Sequence, residues 1–384
     1  MNNFSYYNPV KIVFGSGSIA GLAELLPDDT RIMLLYGGGS IKTNGVYDKV
    51  KSALCGKNWC EFSGIEPNPL HETCMRAIDM ARNAKIGFLL AVGGGSVLDA
   101  SKYIAAGCEY RGDPWDILAK GGEVKSALPI GCVLTLPATG SEVNEASVIS
   151  RASSRQKLFF SSPMVFPRFS ILDPETTYSL PLRQTVNGIV DAFIHVTEQY
   201  VAPPCNAPLQ ARQAEAVLLT LLEEAPKVLV NPSSYDGRAN IMWAASHALN
   251  RVIGCGVPQD WMSHLIGHEL TAFYGIDHAQ SLAIVLPSLW RQTKSEKQVK
   301  LAQLARRVYG VGDVATDMAA ADLAIIKTER FFHSLGMKTR LSDYGIDADD
   351  AAQRVSERMK TRDILLGDAP LASVVIAEIL RQAK

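Results

Sequence analysis

The chain is 384 residues long, 47% hydrophobic and 20% charged. That length exceeds one ordinary domain, and the composition excludes disorder and collagen-like fibre, so two compact domains are expected. Lys and Arg total 38 against 39 Asp and Glu, which leaves no net field to gather onto a phosphate backbone or an anionic bilayer; no nucleic acid and no membrane partner is expected.

Apolar runs such as 88–92 are five residues long, far short of the roughly 20 that cross a bilayer. The opening decapeptide is polar and aromatic, without the basic stretch and apolar run of a secretory signal. Seven cysteines, odd in number and without a Cys-x-x-Cys pair, point to a reduced, cytoplasmic protein.

Along residues 1–180, short apolar runs alternate with glycine-rich turns and amphipathic stretches, a βα rhythm. Strands are expected at 31–36, 87–92 and 130–136. Each runs into a loop of small residues: Gly37-Gly38-Gly39-Ser40, Gly93-Gly94-Gly95-Ser96 and Pro137-Ala138-Thr139-Gly140-Ser141. Both faces of these runs are apolar, as in parallel strands covered by helices on each side. Neither triple glycine fits the G-x-G-x-x-G or P-loop pattern. A strand end, bare backbone amides and a helix start nevertheless form an anion cradle suited to a pyrophosphate. Asp99 follows the second cradle, either as an ordinary helix acid or as a polar partner for the nicotinamide half of a dinucleotide. Behind the first, where an acid would bond the ribose 2′-hydroxyl and repel a 2′-phosphate, stand Gly38, Ser40 and Lys42. The missing acid favours NADP(H) over NAD(H).

From 181 to 384 the texture becomes helical, with apolar residues at i, i+3, i+4 and i+7 in windows such as 209–222 and 318–332. The break falls between Asp173-Pro174 and Pro181, which dictates a dinucleotide-binding α/β domain over 1–180 and an all-α metal-binding domain over 181–384. Five of the seven histidines lie between positions 195 and 278. Asp191 and His195 stand at i, i+4 and so share a helix face; His264 and His268 form a second such pair, and His278 follows a turn through Gly275. One carboxylate with two or three imidazoles suits one divalent ion, Fe²⁺ or Zn²⁺, with a position left for water or substrate. Spacing alone does not separate His264 from His268.

These motifs together resemble the iron-containing alcohol dehydrogenase family, in its butanol-dehydrogenase-like branch of NADPH-dependent aldehyde reductases. The resemblance runs from Phe14-Gly15 to the closing helices and rests on Gly93-Gly-Gly-Ser-Val-Leu-Asp99, Thr135-Leu-Pro-Ala-Thr-Gly-Ser-Glu142, Asp191-Ala-Phe-Ile-His195, and His264-Leu-Ile-Gly-His268 with His278. It implies a Rossmann-like α/β domain with a parallel sheet, an all-α C-terminal domain as in dehydroquinate synthase-like folds, a cleft between them and one divalent metal. It also implies the ligand set Asp191, His195, His264 and His278, leaves His268 outside the ion's immediate shell, and puts Thr135, Thr139 and Lys157 around the cofactor. The chain departs from many relatives at Ala279, where they carry glycine, and in a shorter Thr135 loop.

The expected reaction is metal-assisted hydride transfer between NADP(H) and a small alcohol or aldehyde, with His268 relaying a proton. A homodimer is the expected assembly. The alternatives are dehydroquinate-synthase-like or glycerol-type polyol chemistry on the same scaffold, and a metal-stabilised binding protein without turnover.

Overall fold

The computed structural model describes residues 1–312, 316–360 and 372–384. Eight strands are described: β1 Lys11–Phe14, β2 Ile32–Tyr36, β3 Trp59–Phe62, β4 Phe88–Gly94, β5 Ile130–Leu136, β6 Ala146–Arg151, β7 Gln156–Ser161 and β8 Phe169–Leu172. Helices of eight or more residues are numbered α1 Val46–Ala53, α2 His71–Asn83, α3 Gly95–Glu109, α4 Leu182–Tyr200, α5 Pro208–Val230, α6 Tyr235–Ala248, α7 Met262–Tyr274, α8 His278–Gln292, α9 Lys294–Arg307, α10 Asp317–Ser334, α11 Ala348–Lys360 and α12 Ser373–Gln382.

Six strands form one parallel sheet in the order β1-β8-β5-β4-β2-β3, and β6 pairs antiparallel with β7 in a separate hairpin. In β2 every residue is buried, because successive side chains enter two different cores. Met33 and Leu35 join Leu89 and Ala91 on one face, while Ile32, Leu34 and Tyr36 join Phe88, Leu90 and Val92 on the other. Leaving aside edge strand β1, the order is the doubly wound 2-1-3-4-5 type, whose winding reverses between β2 and β4. Ligands of such sheets bind at the carboxyl ends of the strands flanking that reversal. The two triple-glycine loops lie there.

At the end of β4 the strand passes into α3 without an intervening residue, and the β4–β5 register shifts between Gly93 and Gly94. Side chains are excluded from this turn. A Cβ on Gly94 would stand 2.9 Å from the Leu136 Cβ, and one on Gly95 would stand 2.5 Å from Thr139 Cγ2. Glycine is therefore dictated by the close approach of the end of β5 and of the loop after it, and no side chain stands at the first turn of α3 before Ser96.

The chain divides into two compact units. One comprises Tyr7–Pro181 with Asn231–Ser246; the other comprises Met1–Tyr6, Leu182–Val230 and His247–Lys384. Most of α6 thus packs with the α/β unit, although it lies in the helical half of the sequence. Met242 enters the sheet core, Trp243 meets Phe14 edge-on at 5.8 Å, and Ser246 donates to the buried Glu142 carboxylate. In the helical unit, α4 is buried without interruption from Thr185 to Tyr200, as a helix must be when neighbours surround it. A second cluster joins α7, α8, α11 and α12 through Ile266, Leu270, Val285, Val355 and Leu380.

Candidate metal centre and dinucleotide loops

Helix α4 sends Asp191, His195 and Glu198 to one face, since i, i+4 and i+7 are neighbours on a helix. His264 and His268 come from α7. That helix ends at Gly275, whose φ of 68° is left-handed, and the chain then turns into α8. Asp277 and Gln280 form a capping box at the start of α8, and Asp277 also accepts from Asn187 Nδ2 at 2.8 Å and pairs with Arg183 at 2.9 Å, both on α4. The cap therefore fixes His278, the first residue of α8, against α4.

Three imidazoles converge on one carboxylate oxygen. The Nε2 atoms of His195, His264 and His278 lie 3.7, 3.8 and 3.6 Å from Asp191 Oδ1. These separations are too long for hydrogen bonds. They approach the spacing of about 3.4 Å between donors that surround one ion tetrahedrally at about 2.1 Å. Asp191 Oδ1 and His264 Nε2 are buried and have no hydrogen-bond partner among the described residues. Asp191, His195 and His264 form a buried group able to hold a metal ion, so the donor set fits a divalent cation. Trp261 packs beside the cluster, its ring 6.2 Å from that of His195 and 5.5 Å from that of His264. His268 is buried beside the cluster, its ring 6.0 Å from that of His264 and 5.2 Å from that of His278.

Burial alone would raise the Asp191 pKa, but His195, His278 and His264 outweigh it and hold the carboxyl well below the usual range. For His264, burial opposes the charge, yet the Glu198 and Asp191 carboxylates push its imidazole up to about 9. Glu198 accepts from the His264 backbone N–H at 3.1 Å and from its ring Nδ1. The other three histidines have local contacts: His71 Nδ1 meets the Tyr103 hydroxyl at 2.9 Å, His247 Nδ1 meets Asn250 Nδ2 at 3.2 Å, and His333 Nε2 meets the Thr339 hydroxyl at 2.8 Å.

In the α/β unit, the Gly39 backbone has φ 100° and Ser40 begins a single helical turn; a Cβ on Gly38 would meet nothing within 4 Å. Lys42 Nζ lies over the Tyr36 and Tyr47 rings at 5.1 and 4.8 Å. Ser96 Oγ accepts from the Asn68 amide at 3.3 Å, and Asn68 Oδ1 accepts from the buried Lys157 Nζ at 2.8 Å. Thr135 and Thr139 lie in and after β5, across from Gly94 and Gly95. Both Asp99 carboxylate oxygens are engaged internally, one by Ser141 Oγ at 2.6 Å and one by the Val148 amide at 3.0 Å. The fully buried Lys102 donates to the same Ser141 at 2.8 Å and to Asn144 at 2.9 Å. Asp99 thus ties α3 to the segment after β5.

Residues 9–174 match the family of iron-containing alcohol dehydrogenases, and residues 185–383 match that family's C-terminal domain. The chain belongs to the iron-containing alcohol dehydrogenase family. It is 55% identical over 350 residues, 90% of each chain, to the NADPH-dependent aldehyde reductase YqhD of Escherichia coli. The crystal structure of YqhD superposes with a TM-score of 0.97 at 51% identity, covering 100% of this chain and 99% of that one. An NADP-dependent alcohol dehydrogenase 3 of Entamoeba histolytica is 46% identical over 90% of each chain. The NADH-dependent butanol dehydrogenase A of Thermotoga maritima is 34% identical, with a TM-score of 0.95 over 100% of this chain and 99% of that one. As an iron-containing alcohol dehydrogenase, the chain has the parallel-sheet unit and the helical unit of its relatives.

The histidine cluster sets a pH dependence for the metal-free protein. The folded-state pKa of His264, about 9, lies above the ordinary 6.5, so its stabilising contribution is fully present below pH 6.5 and is lost as pH rises through about 9. Asp191 is shifted the other way, and its contribution is lost only in acid. The urea midpoint of chelator-treated protein should therefore fall between pH 6.5 and 9, and its gap from metal-loaded protein should widen. A metal-free midpoint that stays level or rises across that window contradicts this electrostatic reading.

Proposed function

We propose that this chain is a metal-dependent oxidoreductase that moves hydride between NADP(H) and small alcohols or aldehydes, working mainly as an aldehyde reductase. The observation that carries the reading is the convergence of His195, His264 and His278 Nε2 within 3.8 Å of Asp191 Oδ1. These four residues are the proposed ligands of one Fe²⁺ or Zn²⁺. Mixed nitrogen and oxygen donors accept either ion, and zinc binds more tightly when both are offered. A bound divalent ion supplies Lewis acidity toward a carbonyl oxygen, and a bound nicotinamide supplies the hydride.

The chain's own groups do the remaining work. Asp191 contributes a single negative charge, so with three neutral imidazoles the donor set does not cancel a doubly charged cation. Trp261 packs beside the His195 and His264 rings. The proposed dinucleotide contacts are Gly37, Gly38, Gly39 and Ser40 after β2, Gly94, Gly95 and Ser96 at the start of α3, and Thr135, Thr139 and Lys157 nearby. Asp99 supports them through Ser141. The proposed acid–base group is His268, whose protonated ring would give a proton to the oxygen of the nascent alcohol and regain it from solvent, and whose neutral ring would take that proton in the oxidative direction.

Preference for NADP(H) is supported by the open backbone at Gly38 and by Ser40 in place of an acid, and by the cofactors named for the E. coli and E. histolytica relatives. A phosphorylated substrate of the dehydroquinate-synthase kind is disfavoured, because the region from 183 to 280 offers few basic groups and three of them already have partners. Arg183 pairs with Asp277, Lys227 with Glu224 and Arg238 with the Pro232 carbonyl. Seven free thiols suit a reducing cytoplasm. A homodimer completes the proposal, and light scattering on the eluted protein tests it.

Initial rates with butanal should give a higher kcat/KM with NADPH than with NADH, and Gly38→Asp should weaken NADPH while sparing NADH. A wild type that prefers NADH contradicts the cofactor assignment. His268→Ala should keep its metal and lose kcat by about 10²-fold; wild-type kcat, or simple loss of metal, would show that His268 has another role.

A further inference from the structure

Glu198 is absent from the donor set, yet it contacts one of the proposed donors twice. It lies three residues beyond His195 on the same face of α4 and is buried, with 3% of its surface exposed. Its carboxylate reaches across to α7 and grips His264 twice, at the backbone N–H through Oε1 and at ring Nδ1 through Oε2.

Each contact solves a separate physical problem. His264 is the third residue of α7, so its backbone N–H is one of the helix's unpaired N-terminal donors. The N-cap residue Trp261 offers no side-chain bond. Glu198 supplies the missing acceptor from another helix and places negative charge at the positive end of the α7 dipole. The second contact concerns the imidazole. A carboxylate acceptor at Nδ1 keeps a ring proton there, so Nε2 is the nitrogen that gives up its proton and offers its lone pair when an ion binds. That atom is buried without a hydrogen-bond partner among the described residues, 3.8 Å from Asp191 Oδ1. One carboxylate thus sets the backbone position, the ring orientation and the tautomer of His264 together.

We infer that Glu198 is a positioning residue, which presents His264 Nε2 to the divalent ion and sets the affinity for it. The inference rests on the ligand reading above. Carboxylate partners of metal-bound histidines raise ligand basicity and fix the ring, and their loss costs 10- to 100-fold in affinity.

Glu198→Gln preserves the shape but offers one acceptor oxygen to two donors and turns an amide N–H toward one of them. Metal-free wild type and Glu198→Gln are titrated with Zn²⁺ against a chromophoric chelator at pH 7, with thermal unfolding followed on the same metal-free samples. The variant should bind zinc 10- to 100-fold more weakly. A variant whose affinity stays within twofold of wild type, with or without a lowered Tm, shows that Glu198 serves the fold alone and overturns the inference. A wild type that takes up no zinc overturns the ligand reading itself, and the inference with it. Should Glu198→Gln fail to fold, ¹⁵N-histidine spectra of zinc-loaded wild type decide: a proton on His264 Nδ1 with Nε2 bound to metal supports the role, and the reverse tautomer removes it.

Discussion

A carboxylate buried in a helical core is the constraint on which the rest depends. Asp191 is 3% exposed, and an isolated ionised carboxylate cannot remain there without compensation. The chain surrounds Asp191 with imidazoles from three helices. Without an ion, the His264 ring is driven toward its charged form by the Glu198 and Asp191 carboxylates, as its raised pKa reflects. With one, neutral rings and the carboxylate become its donors. The same four side chains thus make the metal-free core an arrangement that proton loss weakens and that a cation strengthens.

This constraint explains several choices along the helical unit that have no separate rationale. Helix α4 must be buried on all sides to bring Asp191 inward, and Glu198 must then be held by donors on α7. The Asp277 cap is tied to α4 through Asn187 and Arg183, which stops α8 from rotating His278 away. In the α/β unit the controlling constraint is steric. The end of β5 and the loop after it approach so closely that Gly94 and Gly95 tolerate no side chain, which keeps side chains away from the first amides of α3, the end of a helix that suits a phosphate.

Much of this was legible in the sequence because it is local. Strands at 31–36, 87–92 and 130–136 showed as apolar runs ending in glycine, and the structure places them within two residues of those bounds. The pairing of Asp191 with His195 was visible as i, i+4 spacing. His264 and His268 were equivalent by that criterion, because both lie on one face of α7; the direction of His264 Nε2 toward Asp191 depends on Glu198, a contact 66 residues away. Glu198 had a signal in the i, i+4, i+7 series from Asp191, but a glutamate among ligand-type residues reads as an ordinary helix former until its partner is known. The packing of α6 with the sheet through Met242, Trp243 and Ser246 was invisible for the same reason. Periodicity reports which face of a helix is buried, and is silent about which neighbour buries it.

The central claim is that Asp191, His195, His264 and His278 bind one divalent ion. Anomalous X-ray diffraction from crystals of metal-loaded protein, recorded on either side of the zinc and iron absorption edges, tests it most directly. The account predicts one anomalous peak per chain, bonded to three Nε2 atoms and one Asp191 oxygen at about 2.0–2.2 Å. A fully loaded protein with its peak elsewhere, or with His268 in place of His264 in the coordination shell, would contradict it.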